Sequence, residues 1–272
     1  MHTSPVPTPT AHDQWVPHPQ GRLFSRRWQP ADLPAPGLPI VLLHDSLGCV
    51  ALWRDFPAAL CQATGREVIA YDRLGFGQSD ARQALPGLDF VAEEARDFLP
   101  QLCAAWGLSR FAIMGHSVGG GMAIECAAQH PDRCEALITL SAQVFAQAHT
   151  LAGIRIAREQ FRDPAQLERL AKYHGSKARW VLNAWTENWL HPGFAPWSLL
   201  PVLPRVRCPM LALHGENDEY GTPLHAQCIG QHSGGPARVD ILPGVGHVPH
   251  REQPRTVLDK VAAFLRSADQ PS

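Results

Sequence analysis

The segment from Phe111 to Gly121 constrains the fold of this chain most strongly, because it combines the sequence patterns of a strand, a tight turn and a helix. A short apolar run ends in residues 115–119, with the sequence GHSVG, and residues with helical spacing follow. A strand, a sharp turn and a helix in this order predict a G-x-S-x-G turn that exposes a serine hydroxyl on a strained backbone. Ser117 is therefore a candidate nucleophile, and Gly115 and Gly119 are small because backbone crowds the turn on both sides.

A serine hydroxyl is a weak nucleophile at neutral pH, and so short a pattern also occurs by chance. The hypothesis therefore requires a base that takes the proton, an acid that orients the base, and N–H donors for the oxyanion. One donor follows from the pattern itself, because the Val118 N–H would lie at the N-terminus of the next helix. The remaining groups must come from distant parts of the chain.

Short apolar runs alternate with helical patterns along most of the chain. Such runs suit strands that are buried on both faces, as in a parallel sheet. They cover residues 39–44, 68–71, 111–114, 134–140, 208–215 and 238–242. The alternation predicts an α/β fold with a doubly wound, mostly parallel sheet, whose functional loops follow the carboxyl ends of the strands.

Two regions depart from this alternation. Residues 1–20 are rich in proline and have little apolar pattern, which predicts a flexible N-terminal arm. Residues 143–203 are helical by pattern and hold four of the eight tryptophans, which predicts a helical cap inserted over the functional edge of the sheet. Residues 21–142 and 204–272 would then form the α/β core, with residues 22–28 as an edge strand.

Composition excludes several classes of partner. The net charge of −1 gives no excess that would favour nucleic acid or an anionic membrane surface. The seven cysteines are scattered without a C-x-x-C pair, and we expect them to be reduced in a cytoplasmic protein. No apolar run approaches the roughly 18 residues of a membrane helix. We expect a small-molecule substrate, with no nucleic acid or membrane partner, and a monomer or homodimer.

Four motifs in one order resemble the α/β-hydrolase superfamily, in its capped serine-triad branch of esterases and carbon–carbon bond hydrolases. The resemblance covers residues 22–268. The motifs are an H-G-x-x-G-like loop at residues 44–48, a D-x-x-G-x-G-x-S loop at residues 72–79, the turn at Ser117, and H-G-x-x-D at residues 214–218, followed by Gly-x-Gly-His at residues 244–247.

The resemblance implies a role for each matched residue. Ser117 would be the nucleophile, His247 the base and Asp218 the acid, without a metal or cofactor. The N–H groups of Ser46 and Val118 would form the oxyanion hole. His250 is a weaker rival for the base, and we expect Glu216 and Glu219, which flank Asp218, to lie in a solvated turn.

Asp45 departs from the family pattern, which has glycine at this position. A carboxylate beside a developing oxyanion is unfavourable, so we expect Asp45 to point away and to accept loop N–H groups in an Asx-type turn. The alternative is that it contacts substrate or the cap. The predicted pocket residues are His44, Asp45, Leu47, His116, Trp180, Trp185, Trp189 and Val248. We expect the Asp72 loop to be structural, and the cap arginines to be solvated rather than to bind a substrate anion.

The expected reaction is hydrolysis of a small carboxylic ester through an acyl-enzyme. Same-fold alternatives are a carbon–carbon bond hydrolase acting on vinylogous diketones, and a lyase of the menaquinone-pathway type that uses the serine as a base. A receptor-like relative that binds a ligand without hydrolysis is a further alternative. A serine at the turn argues against dehalogenases, which carry aspartate there. The acyl group and the leaving group stay open.

Overall fold

The computed structural model describes residues 8–31 and 37–269, and in these ranges eight strands form one sheet. The spatial order is β1-β2-β4-β3-β5-β6-β7-β8. Strands β1 and β2 run antiparallel to their neighbours, and all other pairs are parallel. The strands are β1 (Thr10–His18), β2 (Gly21–Gln29), β3 (Ile40–Leu43), β4 (Val68–Tyr71), β5 (Phe111–His116), β6 (Cys134–Leu140), β7 (Met210–Gly215) and β8 (Ala237–Leu242). The predicted α/β class with a mostly parallel sheet is confirmed.

Helices cover both faces of this sheet, and each face has its own apolar core. Every residue of β3, β4 and β5 is buried, which is the expected consequence of packing on two sides. The helices are α1 (Phe56–Thr64), α2 (Phe90–Glu93), a π-helical turn (Glu94–Phe98), α3 (Leu99–Trp106), α4 (Val118–Gln129), α5 (Ala148–Gln160), α6 (Pro164–His174), α7 (Ala178–Trp189), α8 (Leu224–His232), α9 (Pro249–Glu252) and α10 (Pro254–Ala268). None of the helices in the described ranges is both long and apolar enough to cross a bilayer.

The prediction of a flexible arm over residues 1–20 is wrong for residues 10–18. These residues form β1, which pairs with β2 along its whole length and makes β1, not residues 22–28, the edge of the sheet. Val16 is fully buried, and Asp13 forms a 2.5 Å ion pair with Arg26. Pro17 is tolerated because a strand at the sheet edge can lack an N–H donor. Residues 1–7 lie outside the described residues.

Residues 143–203, the predicted cap, contain α5, α6 and α7 and no named strand. The segment contacts the loop after β4 through His174, whose Nδ1 accepts the Gly77 N–H at 2.8 Å. Lys177 Nζ donates to the Gly77 carbonyl at 2.8 Å. Asp72 holds the other side of this loop, because its carboxylate accepts the N–H groups of Val50 and Gln78 at 2.6 Å each. The structural interpretation of the Asp72 loop is thus confirmed.

Glu94 is a buried carboxyl beneath the sheet, in the π-helical turn between α2 and α3. It accepts a 2.5 Å hydrogen bond from the Tyr71 hydroxyl at the end of β4. Burial raises the pKa of Glu94 to about 7, although Arg73 and the Tyr71 hydroxyl both favour the ionised form. In the unfolded chain the group titrates near its ordinary value of 4.5. Between these values the folded state binds more protons than the unfolded state, so this carboxyl weakens the fold as the pH rises.

We expect the substitution Glu94→Gln to remove this pH dependence. The free energy of unfolding of E94Q minus that of the wild type should increase by about 2.5 kcal/mol between pH 5 and pH 8. Urea titrations of both proteins at the two pH values measure the difference, with unchanged m-values as the control. A difference that is the same at both pH values would contradict the raised pKa.

Candidate active site

Ser117 lies in a strained turn between β5 and α4, where its φ of 56° and ψ of −127° are unusual for a residue with a side chain. A Cβ atom on Gly115 would lie 2.0 Å from the Gly119 carbonyl oxygen. One on Gly119 would lie 2.4 Å from the Leu43 carbonyl oxygen of β3. The turn can therefore form only with glycine at both positions, as the sequence predicts.

Asp218 and His247 follow β7 and β8 and form a hydrogen-bonded pair. His247 Nδ1 lies 2.8 Å from both carboxylate oxygens of Asp218. Asp218 Oδ1 also accepts the N–H groups of Tyr220 at 2.7 Å and Gly221 at 3.0 Å, which fixes the carboxylate. Burial raises the pKa of Asp218, but the hydrogen bond and charge of His247 outweigh it and hold the pKa below its ordinary value. An ionised Asp218 keeps the proton on Nδ1 and leaves Nε2 free to accept one.

Ser117 Oγ faces the same cavity as His247. The hydroxyl donates to Gln143 Oε1 at 3.4 Å, and among the described residues no hydrogen bond joins it to His247. Bonds between nucleophile and base are often long in free enzymes and shorten when substrate binds. Ser117 and His247 therefore line the same cavity, and Asp218 is connected to it through its hydrogen bond to His247.

The two predicted oxyanion donors also lie beside Ser117. Val118 is the first residue of α4, so its N–H has no intrahelical acceptor and carries the positive end of the helix dipole. The Ser46 N–H has no acceptor in the described part of the chain. Ser46 and Val118 line one small crevice that opens next to the main cavity. Two free N–H groups at this place can stabilise a tetrahedral oxyanion.

The cavity over Ser117 has a volume of about 180 Å³. Its wall is formed by Asp45, Ser46, Leu47, Ser117, Gln143, Thr150, Ile154, Trp185, Trp189, Glu219, Tyr220, His247 and Val248. Five of the eight predicted pocket residues are among them, namely Asp45, Leu47, Trp185, Trp189 and Val248. Trp189 is almost fully buried and also packs against Phe194, so it belongs to the core as well as to the wall.

The other three predicted pocket residues do not line this cavity. His44 is buried under the loop after β3, where its Nε2 accepts the Arg73 N–H at 3.1 Å. His116 points behind the site and donates from Nε2 to the His247 carbonyl at 2.8 Å. Trp180 packs over Gly75, where a Cβ atom would lie 2.3 Å from its ring. Each side chain is held by a partner far along the chain that a local pattern does not reveal.

Sequence reasoning missed five wall residues. Thr150 and Ile154 are one helical turn apart on α5, a spacing that places them on one face. Glu219 and Tyr220 directly follow Asp218 in the sequence, and this position next to the proposed acid could have indicated that they line the pocket. Glu219 is exposed at the cavity mouth, but it is not simply solvated, because it accepts the His247 N–H at 3.2 Å. Gln143 lies three residues after the end of β6, and no sequence motif around it indicates a pocket residue.

Asp45 does not form the expected Asx-type turn. Its carboxylate accepts no hydrogen bond from the described residues, whereas its backbone carbonyl receives three. The donors are the Gly48 N–H at 3.2 Å, His44 Nδ1 at 2.8 Å and Arg73 Nη2 at 2.8 Å. These bonds fix the backbone. One carboxylate oxygen lies 2.0 Å from the position that a Cβ atom at Gly48 would take, and the other lies 3.8 Å from His116 Nδ1.

His250, the weaker rival for the base, is buried among aromatic side chains and does not line the cavity. Its ring centroid lies 4.8 Å from that of Trp53 and 5.3 Å from that of Phe56. Burial holds the pKa of His250 well below its ordinary value, so the ring is neutral at pH 7. Its position supports His247, not His250, as the base.

Comparisons with known proteins agree with this architecture. A family profile described as the alpha/beta hydrolase fold matches residues 39–254. The sn-1-specific diacylglycerol lipase ABHD11 of Mus musculus is 27% identical over 262 residues, which cover 86% of this chain and 82% of the lipase. Human serine hydrolase BPHL is 28% identical over 194 residues, which cover 67% of this chain and 64% of that protein.

The fold is also similar to that of solved structures. The crystal structure of a proline iminopeptidase from Mycobacterium smegmatis superposes with a TM-score of 0.77 at 24% identity, over 95% of this chain and 99% of that one. At this identity the likeness concerns the fold alone. The profile, in contrast, spans most of the chain, from the start of β3 to the start of α10. The chain therefore belongs to the α/β-hydrolase fold family.

Proposed function

We propose that this protein is a serine hydrolase that cleaves a small carboxylic ester through an acyl-enzyme. The observation that carries the proposal is the hydrogen-bonded Asp218–His247 pair, because His247 lines the same cavity as Ser117, which lies in a strained turn. This is the arrangement that activates a serine hydroxyl. The lipase and serine hydrolase relatives support the same reaction class.

The proposed reaction has two halves. Ser117 Oγ attacks the ester carbonyl carbon while His247 takes its proton, and the Ser46 and Val118 N–H groups receive the oxyanion. His247 then gives the proton to the leaving alcohol as the carbon–oxygen bond breaks. A water molecule attacks the acyl-serine by the same route and releases the acid. In both halves Asp218 stabilises the imidazolium that forms.

The cavity volume supports a small substrate. About 180 Å³ is comparable with the roughly 150 Å³ cavity that holds a benzene molecule. A group of this size fits a short acyl chain or a single ring. Leu47, Ile154 and Trp185 give much of the wall an apolar surface for such a group.

A turnover panel tests the proposed chemistry. Wild-type protein is assayed with p-nitrophenyl acetate, butanoate and octanoate, and in parallel with a vinylogous diketone substrate of carbon–carbon bond hydrolases. We expect turnover of the short esters, with a lower kcat/KM for octanoate. Hydrolysis of the diketone alone would favour the carbon–carbon hydrolase. No turnover of any compound, together with tight ligand binding, would favour the receptor-like alternative.

Trp185 is expected to contribute to substrate binding rather than to the chemical step. We predict that Trp185→Leu raises KM for p-nitrophenyl butanoate about tenfold and changes kcat by less than about threefold, because it removes apolar contact that substrate and transition state share. Trp180→Leu is the matched control, since Trp180 packs over Gly75 outside the cavity. It should lower the melting temperature and leave KM within about twofold. Equal KM values in both variants would contradict the assignment of Trp185 to the pocket.

A further inference from the structure

His116 joins the turn that carries the nucleophile to the loop that carries the base. It is the last residue of β5 and directly precedes Ser117 in the chain. Its side chain is almost fully buried, and its Nε2 lies 2.8 Å from the His247 carbonyl oxygen. Among the described residues, no other hydrogen bond connects the turn at Ser117 with the loop after β8 that holds His247. His116 therefore supplies the polar link between the two groups that must meet during proton transfer.

The catalytic-base candidate His247 is held from two directions. Its N–H donates to Glu219 Oε2 at 3.2 Å, and its ring bonds Asp218 through Nδ1. Both acceptors belong to the loop after β7, so they position the base relative to the acid. The His247 carbonyl accepts only the His116 bond among the described residues. Because Ser117 Oγ does not bond His247, the carbonyl bond is the hydrogen bond that can set the distance from base to nucleophile.

The carbonyl partner also fixes the tautomer of His116. A carbonyl oxygen can only accept, so the proton of the neutral ring lies on Nε2 and Nδ1 is left as an acceptor. Burial, together with the charge of His247, lowers the pKa of His116 to about 4, so the ring is neutral at pH 7. The Asp45 carboxylate, 3.8 Å from Nδ1, is too distant for a direct hydrogen bond. A neutral donor holds the backbone without placing a positive charge beside the imidazolium that forms on His247.

Aromatic packing keeps the His116 ring in this orientation. Its centroid lies 4.8 Å from that of His250 and 6.4 Å from that of Trp53, edge to face in both cases. The His247 ring lies 5.0 Å away on another side. A ring that is packed on several sides cannot rotate freely, so its N–H stays directed at the carbonyl. Such support matters because a misplacement of about 1 Å can cost about 10²-fold in rate.

We propose that His116 is a positioning residue, which holds the backbone of His247 so that the imidazole can reach Ser117 Oγ. The inference rests on the proposed serine chemistry and adds a residue to it. His116 does not line the cavity, so its contact is with the base rather than with substrate. Loss of its bond should therefore slow the chemical step and leave substrate binding nearly unchanged.

Two amide substitutions test the inference as a matched pair. The amide nitrogen of glutamine can take the place of Nε2, whereas that of asparagine is one carbon shorter, corresponds to Nδ1 and does not reach the carbonyl. We expect His116→Gln to keep kcat for p-nitrophenyl butanoate within about fivefold of the wild type. His116→Asn should lower kcat about 30- to 100-fold and leave KM within about threefold. The rate of fluorophosphonate labelling of Ser117 should fall by a similar factor in H116N and stay near the wild-type rate in H116Q.

Melting temperatures and a second pair of variants separate positioning from stability. Both amides are polar groups in the same buried space, so H116Q and H116N should lower the melting temperature by similar amounts. His250→Gln and His250→Asn repeat the change on the adjacent ring, which makes no hydrogen bond to His247 among the described residues. Their kcat values should agree within about threefold. A ¹⁵N NMR spectrum of histidine-labelled wild-type protein adds a readout without a variant, in which His116 should carry its proton on Nε2.

The outcomes separate the two proposals. Equal kcat values for H116Q and H116N, a kcat that follows the melting temperature across all four variants, or a His116 ring protonated on Nδ1 would overturn the inference while the serine chemistry stands. If the wild type is labelled but hydrolyses no ester, the proposed ester hydrolysis fails, and the labelling rates still decide the role of His116. A wild-type protein that is not labelled would overturn both.

Discussion

Replacing Ser117 with alanine is expected to lower kcat for p-nitrophenyl esters by roughly 10⁴- to 10⁶-fold. The substitution removes the oxygen that attacks the carbonyl, while His247, Asp218 and the two oxyanion N–H groups stay in place. Without the Ser117 oxygen, no acyl-enzyme can form. The residual rate measures what binding and the oxyanion hole achieve alone.

Ser141→Ala is the matched control for this experiment. Ser141 directly follows β6, is fully buried and, like Ser117, has a positive φ, and its hydroxyl has no hydrogen-bond partner among the described residues. It does not line the cavity, so its removal should leave kcat within about threefold. Circular dichroism and melting curves of both variants show whether the fold is kept. If folded S117A retains wild-type turnover, Ser117 is not the nucleophile.

Replacing His247 with alanine is expected to lower kcat by about 10⁴-fold, because it removes the proposed base that takes the serine proton. The matched variant His250→Ala removes the neighbouring imidazole, which is buried against Trp53 away from the cavity. We expect less than about a tenfold loss for H250A. Rates of both variants with p-nitrophenyl butanoate measure the contrast. A near-normal rate for H247A, with an inactive H250A, would transfer the role of base to His250.

The central sheet could be predicted from sequence because strands buried on both faces appear as uninterrupted apolar runs. The edge strand could not, because one face of β1 meets solvent and Pro17, together with the flanking Pro9 and Pro19, resembles a loop pattern. The conformation of β1 depends on its pairing with β2. The ion pair between Asp13 and Arg26 joins residues too far apart in the sequence for a local pattern to relate them.

The positions of the proposed triad residues could likewise be predicted, because each follows a strand within a short motif. The cavity wall depends instead on how residues 143–203 pack over the sheet. Trp180 and Trp185 are five residues apart on α7, yet one packs over Gly75 and the other lines the cavity. Trp180 also packs against Phe76, so one face of α7 contacts the loop after β4 while Trp185 lines the cavity.

The conformation of Asp45 also depends on a residue that is distant in the sequence. Its expected Asx-type turn was a local solution, whereas Arg73, 28 positions away, binds its carbonyl and fixes its direction. The departure of Asp45 from the family pattern was visible in the sequence. The surroundings of its carboxylate became visible only in the structure, where one oxygen lies 3.8 Å from His116 Nδ1.

The most direct test of the central claim is the mass of the intact protein after treatment with a fluorophosphonate at pH 7.5, followed by peptide mapping. An activated serine displaces fluoride and keeps the phosphonyl group. We predict one adduct per chain, located on Ser117, and its loss in H247A. An unlabelled wild-type protein, or an adduct on another residue, would contradict the account.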